Sequence, residues 1–351
     1  MKQVSLLSVF IFFLLSAFKI SAQSVTYPDG SFRDIEPEDF EARNLSSKYF
    51  NELWTYHINL ENDIQIVYNF SINDFGSFKD RATGVRMQVS WKDGNTYIAN
   101  KEYDVSDLKT DPQNKYLRVH PDRPFWARGS FDGEHELNFK NKRDGILYDM
   151  NLTLYDISKG KVQGNGIYKT GNDEIGIYLM IPHAKVKGFV AINGDTVQAK
   201  GTAYMDHIYQ NNMSTELIDK SYRVKSGNGQ NGFFMHFITL KNGSRNPIGY
   251  GVQYKNGTAS VLTPKDLRIL ESSSVRGINL DTKLQINCYQ MDPQIVEVDK
   301  HLNTYSIMDE LSGFQKFFAK RVLGGELIEM NGTLDVNGNK NGYFYYMVTD
   351  N

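Results

Sequence analysis

The 351-residue chain contains a single cysteine, Cys288. No intrachain disulfide can form, so a hydrophobic core, not crosslinks, has to hold the fold together. Between Asn287 and Tyr289, that thiol reads as a small buried hydrophobe. Metal-ligand spacings are also missing. His57, His120, His135, His183, His207, His236 and His301 form no His-x-His or His-x-x-x-His pair, so no metal site is expected. There is no Gly-x-Ser-x-Gly elbow, P-loop or dinucleotide fingerprint, and none of the cofactors those motifs hold is expected. Charge of one sign is not in excess either, with 39 Lys and Arg against 41 Asp and Glu. The basic residues are dispersed, which leaves no electrostatic footprint for a nucleic-acid partner.

Long apolar runs are confined to the N-terminus. Lys2 precedes an almost unbroken apolar stretch from Val4 to Phe18, and Ile20-Ser-Ala22 supplies small residues before Gln23. That is the layout of a secretory signal peptide over residues 1–22, and it is too short for a membrane span. The expectation is an exported protein, periplasmic or secreted, with no transmembrane segment.

Turn residues and aromatics are what the chain has in quantity, with 29 Gly, 21 Tyr and 21 Phe. Residues 23–48 form a lead-in rich in acids and turns, with a short helix expected around Pro37 to Arg43. From there apolar and polar residues alternate in short runs. Trp54–Leu60 and Ile64–Phe70 are joined by Glu61-Asn-Asp63, and Val85–Trp91 turns at Asp93-Gly94 into Thr96–Ala99. Trp126–Phe131 turns at Asp132-Gly133, and Asp144-Gly145 leads into Ile146–Tyr155. Repeated hairpins of this kind predict a meander that closes into a barrel, not alternating strands and helices. Trp54, Trp91 and Trp126 all fall in this half, where they either fill core or line a pocket.

Two domains are expected, 23–182 and 183–351, with the boundary near Ile181-Pro182. In the second, Phe233–Leu240, Ile248–Tyr254, Ala259–Leu262 and Lys283–Gln290 read as strands, with turns at Asn242-Gly243 and Asn256-Gly257. Ile307, Leu311, Phe314 and Phe318 recur at helical spacing before Gly324-Gly325, which predicts one short helix near the C-terminus. An internal echo links distant segments. Gly188-Phe-Val-Ala-Ile-Asn-Gly194, followed by Gly201 and Tyr204, parallels Gly332-Thr-Leu-Asp-Val-Asn-Gly338, followed by Gly342 and Tyr345. It marks either a duplicated hairpin or the general use of Asn-Gly in hairpins.

Gly201-Thr-Ala-Tyr-Met-Asp-His-Ile-Tyr209 carries an adjacent carboxylate and imidazole in a strand. With a period of two, Tyr204, Asp206 and Ile208 share one face, and Met205, His207 and Tyr209 the other. Covering either face buries an ionisable group. It is then a paired group that fixes strand register or part of an acid–base pair in a cavity.

His183-Ala-Lys-Val-Lys-Gly-Phe-Val-Ala-Ile-Asn-Gly194, followed by Gly201-Thr-Ala-Tyr-Met-Asp-His207, resembles the second-domain signature of the carotenoid 1,2-hydratase (hydroxyneurosporene synthase) family and its AttH-type relatives. The resemblance implies an all-β chain of two lipocalin-like antiparallel β-barrels in tandem. It also implies that Asp206, His207 and the aromatic residue at 209 are the candidate machinery. Members of that family usually place Trp two residues after the His, where this chain has Tyr209. They continue with an acid in a Gly-Trp-Asp-Trp stretch, whose nearest equivalent here is Gly232-Phe-Phe-Met-His236. Alkene hydration needs an acid, apolar walls and one admitted water. The expected function is binding or carriage of a hydrophobic small molecule of lipid or isoprenoid type. Asp206 and His207 are its central pair, and Tyr204, Met205, Tyr209 and His236 are further contacts. A cofactor-free hydratase, isomerase or cyclase acting on a polyene is the second expectation, and a non-catalytic structural protein the third.

Overall fold

The computed structural model describes residues 24–350 except 44, 77–78, 242–245, 311–319 and 322. The lead-in consists of β1 (Val25–Thr26), β2 (Phe32–Asp34) and a 3-10 turn at Pro37–Phe40, shorter than the helix expected there. Pro37 opens the turn, and Asp39 caps it by accepting from the Glu36 N–H at 2.8 Å. A meander follows, β3 (Asn51–Leu60), β4 (Gln65–Asn73), β5 (Ala82–Ser90) and β6 (Thr96–Asp104). Next come β7 (Lys109–Asp111), β8 (Tyr116–Arg118), β9 (Phe125–Gly129), β10 (His135–Arg143), β11 (Ile146–Tyr155), β12 (Lys161–Gln163) and β13 (Ile167–Thr170). A long hairpin of β14 (Asp173–Ile192) and β15 (Asp195–Gln210) completes the first sheet. Its antiparallel order is β6-β5-β4-β3-β15-β14-β11-β10-β9-β8-β7.

One helical turn, Ser214–Leu217, leads to the second sheet. Its strands are β16 (Ile218–Gly227), β17 (Gly232–Leu240), β18 (Ile248–Lys255), β19 (Thr258–Leu262), β20 (Pro264–Val275), β21 (Ile278–Cys288), β22 (Met291–Ser306), β23 (Glu326–Val336) and β24 (Asn339–Asp350). They pair in the order β19-β18-β17-β16-β24-β23-β22-β21-β20. The chain is nearly all β, and each sheet curls round its own core as a lipocalin-like half-barrel.

Three apolar clusters hold this arrangement. Trp54, Tyr56, Phe70 and Phe139 fill the first barrel, and Tyr222, Phe237, Leu284 and Tyr346 the second. The third cluster lies between the sheets, where Tyr168, Ile177, Leu179 and Tyr204 meet Phe234, Ile248, Tyr250 and Val252. Trp91 also belongs to the first core, whereas Trp126 is half-buried with the Arg128 guanidinium 4.4 Å above its ring. Cys288 packs in the second core, and burial pushes its thiol up to about 12.

The passage between sheets differs from the expected boundary. Pro182 lies inside β14, and both flanks of it stay in the first sheet. A register shift between Ile181 and Ala184 opens a bulge there, where a residue without an N–H costs no ladder bond. The Asp206–His207 strand, expected to open the second barrel, therefore belongs to the first. The C-terminal helical stripe begins as a 3-10 turn at Ile307–Glu310, while Leu311, Phe314 and Phe318 lie outside the described residues. The Asn242-Gly243 turn and residues 1–22 lie outside them as well.

The internal echo is a structural repeat. Asn193 and Asn337 both turn their hairpins at φ 51°, followed by glycines at 84° and 86°. The Asn193 side chain accepts from Leu147 N at 2.9 Å, and Asn337 from Ile295 N at 2.8 Å. On the return strands Tyr204 pairs with His57 and Tyr345 with Arg223. His57 on β3 and Arg223 on β16 thus occupy equivalent places in the two sheets.

Candidate functional site

β15 lies in the middle of the first sheet, between β3 and β14. Gly201 permits that close approach, since a Cβ there would stand 2.1 Å from the Asn59 carbonyl oxygen. Beyond it the side chains alternate as expected. Tyr204 and Ile208 pack in the inter-sheet cluster, while Met205 and Tyr209 join the core of the first barrel.

Asp206 faces the second sheet and is fully buried. Arg223 of β16 donates to it from Nε, and its second nitrogen stands 3.4 Å from the other carboxylate oxygen. His236 of β17, also fully buried, places Nδ1 3.3 Å from Asp206 Oδ2, while its Nε2 meets the Ser221 hydroxyl at 2.9 Å. Burial alone pushes the Asp206 carboxyl upward, but Arg223 and His236 outweigh it and hold the group well below the usual carboxylate range. The His236 imidazole is pushed down to about 4 by burial and by Arg223, against the pull of Asp206. His57 and the two equivalent tyrosines complete the layer. The His57 ring stacks on Tyr204 at 4.4 Å and meets the Tyr345 ring edge-on at 4.5 Å, and Arg223 lies 5.5 Å above Tyr345.

His207 faces the opposite way. It stacks on Trp54 at 4.5 Å, and its Nδ1 donates to the Asp39 carbonyl at 2.7 Å. A carbonyl only accepts, so Nε2 shares one proton with the Glu52 carboxylate 2.8 Å away. Glu52 also accepts from the Arg43 N–H, and Arg33 makes a two-pronged pair with Asp39. His207 and Glu52 thereby fasten the lead-in segment across the first barrel. The Tyr209 ring covers Gly176, where a Cβ would stand 2.1 Å from a ring carbon.

Asp206 and His207 are therefore neighbours in sequence with separate surroundings. Tyr204 and His236 share the Asp206 layer, and Met205 and Tyr209 the barrel core of His207. None of the six lines the larger space between the sheets, a cavity of about 230 Å³. Its walls come from both halves. Leu53, Asn69, Val85 and Arg86 lie on β3, β4 and β5, while Tyr305, Leu327, Glu329 and Met347 lie on β22, β23 and β24. Phe75 and Met308 add apolar surface, and exposed Lys101 and Glu102 stand at the rim. Arg86 crosses the gap to pair with Glu329 and lies 4.5 Å over the Tyr305 ring. Neither Arg86 nor Glu329 was among the expected site residues. Alternation places them on inward faces, but nothing local says that they meet. Among the described residues, no group of three or more His, Cys, Asp or Glu is placed to hold a metal ion.

Sequence comparison finds no matching family model and no matching curated protein. Solved structures do match. An AttH-type protein from Nitrosomonas europaea superposes with a TM-score of 0.61 at 15% identity, covering 92% of this chain and 99% of that one. CghA with Sch210972 gives 0.59 at 10% identity, over 91% and 98% of the two chains. Kievitone hydratase from Nectria haematococca gives 0.50 at 11% identity, over 92% and 96%. The chain has the fold of these tandem lipocalin-type proteins. The resemblance to the carotenoid hydratase-like group holds at the level of the fold, across nearly the whole chain and not only across residues 183–207.

Proposed function

We propose that the protein binds a hydrophobic small molecule, of lipid or isoprenoid type, in the cavity between its two sheets and acts as an exported carrier. The observation that carries this reading is the cavity itself. Its volume is about 230 Å³, its walls are largely apolar, and both sheets supply them. A protein with two filled barrels and no ligand has no use for a gap that interrupts its inter-sheet core. That the CghA structure holds Sch210972 supports small-molecule binding on this fold.

The enzymatic alternative, a cofactor-free hydratase or cyclase, draws support from the kievitone hydratase fold. It meets a chemical difficulty at Asp206. A group that protonates an alkene must hold a proton at working pH, and Arg223 keeps this carboxyl ionised. Carriage needs no such acid. Export through a signal peptide over residues 1–22 belongs to the same proposal, and N-terminal sequencing of the mature protein should begin at Gln23.

Native mass spectrometry of the gently purified full chain tests the binding reading. A co-purifying apolar adduct is expected, and Met347→Trp, which narrows the cavity from β24, should reduce it while leaving far-ultraviolet circular dichroism unchanged. Equal adduct on wild type and Met347→Trp would remove the cavity as the site.

A further inference from the structure

The two walls of the cavity differ in chemistry, and the difference restricts its ligand, an argument that rests on the cavity being the binding site. On β4, Tyr68, Phe70 and Ile72 point into the first barrel, so alternation turns Asn69, Ser71 and Asn73 towards the second sheet. All three line the cavity, as does Asn51 of β3. Across the gap the wall is Tyr305, Met308, Leu327 and Met347.

The polar wall is only partly occupied with itself. Asn51 Nδ2 donates to Asn73 Oδ1, and Asn73 Nδ2 donates to Ser71 Oγ at 2.8 Å. The Ser71 O–H is left to donate, since a hydroxyl accepts and donates at once. It stands over Gly84, where a Cβ would come within 2.8 Å of Oγ. Asn69 is 8% exposed, and among the described residues nothing hydrogen-bonds its side-chain amide. Asn59 Nδ2 and Asn331 Oδ1 are unpartnered too, but they are sealed from solvent. The Asn69 amide is not, and its remaining surface opens on the cavity it lines. An amide offers both a donor and an acceptor.

The acids of the described lining are already answered. Glu329 pairs with Arg86, Asp74 with Arg81 at 3.2 Å, and Glu102 with Lys79. Lys101 is exposed at the rim, where water screens it. An ionic head would therefore enter without a buried counter-charge. A hydroxyl matches the wall, because it accepts from Ser71 Oγ–H or Asn69 Nδ2 and donates to Asn69 Oδ1. Asn69 and Ser71 are two residues apart on one strand face, about 7 Å between Cα atoms, which suits two hydroxyls and not one.

We infer that the cavity takes an uncharged amphiphile whose polar end carries two or more hydroxyls, set against Asn69 and Ser71 of β4, with its apolar body on Leu327 and Met347.

The test uses the full chain and four probes with the same decyl chain: 1,2-decanediol, 1-decanol, decyl methyl ether and decanoate, with affinities measured by equilibrium dialysis. The diol is expected to bind about fivefold more tightly than the alcohol, the worth of one further hydrogen bond. The ether, which cannot donate, should be the weakest of the neutral three, and decanoate should bind no better than the ether. Asn69→Leu orphans no partner in the protein. It should remove the advantage of the diol over the alcohol and leave ether affinity unchanged. A diol no tighter than the alcohol in wild type, a diol advantage kept in Asn69→Leu, or tightest binding of decanoate overturns this inference and leaves the cavity site standing. Binding of none of the four overturns both.

Discussion

A carboxylate with no exposure survives in a protein interior only when its charge is answered, and Asp206 is answered by Arg223 from the other sheet, with the neutral His236 ring beside it. Asp206→Asn should therefore act on stability and not on ligand. It leaves Arg223 buried without a counter-charge, and urea denaturation should show a loss of about 3–5 kcal/mol. The double replacement Asp206→Leu with Arg223→Met should recover most of it, and both variants should retain the co-purifying adduct. A variant that keeps its stability and loses the adduct would return Asp206 to the binding site. The histidines set a second expectation. Burial lowers His183 and His135 to about 3 and His236 to about 4, with Lys225 and Lys185 adding to the effect at His183 and Lys115 at His135. Between the ordinary imidazole range and those values the unfolded chain binds protons that the folded one does not. Their stabilising effect is full above about 6.5 and is lost as pH falls towards 4 and then 3. The urea midpoint should drop between pH 7 and pH 4, and His183→Asn should flatten the drop; an unchanged slope in that variant would remove His183 from the account. The sequence shows that Asp206 and His207 must point to opposite faces, because strand alternation dictates it. It does not show their partners, since Arg223, Glu52 and Asp39 reach them only through the fold.

Hairpins were the most legible elements, because Asn-Gly turns and two-residue alternation are both local. Asn193 and Asn337 illustrate why: each adopts a left-handed conformation, and each side chain accepts from the backbone of the neighbouring strand. Replacing either by Ala strains the left-handed turn and hands one exposed N–H to water, a loss of about 1 kcal/mol. The two losses should add in the double variant because the turns sit in different sheets. Urea denaturation of N193A, N337A and N193A/N337A measures this, and a double loss well short of the sum would show that the hairpins are coupled. Less legible were β20 and β22. The Glu271-Ser-Ser-Ser274 segment of β20 is exposed on both faces and carries no alternation to read. Pro182 misled in the other direction. It looks like a break between domains, yet a bulge in β14 absorbs it. The repeat also explains the asymmetry between the two ends of the inter-sheet space. Counting on from Tyr204 and Tyr345, Asp206 in the first copy corresponds to Met347 in the second. One is locked to Arg223, and the other lies on the cavity wall.

At the scale of the whole molecule, the two sheets are joined by more than the turn Ser214–Leu217. Tyr204, Ile177 and Leu179 of the first sheet share one apolar cluster with Phe234, Ile248 and Tyr250 of the second. Tyr250 also reaches back across the gap, where its hydroxyl donates to the Lys161 carbonyl at 2.7 Å and accepts from Leu179 N at 3.0 Å. Gln65 of β4 donates to the Gly332 carbonyl of β23 at 3.1 Å, which ties a second point on the same interface. Splitting the chain would expose this cluster to water and leave Asp206 and Arg223 each without its partner. Large apolar faces of that kind aggregate or rearrange when uncovered. Fragments 24–212 and 213–350 produced separately should therefore lack native near-ultraviolet circular dichroism, while their mixture should regain it. The same mixture should recover the apolar adduct, because the cavity needs Val85 and Arg86 from one fragment and Leu327 and Met347 from the other. If either fragment alone gave a cooperative unfolding transition with native aromatic signals, its barrel would be self-sufficient, and the inter-sheet layer would be an interface between two finished domains, not a core that both require.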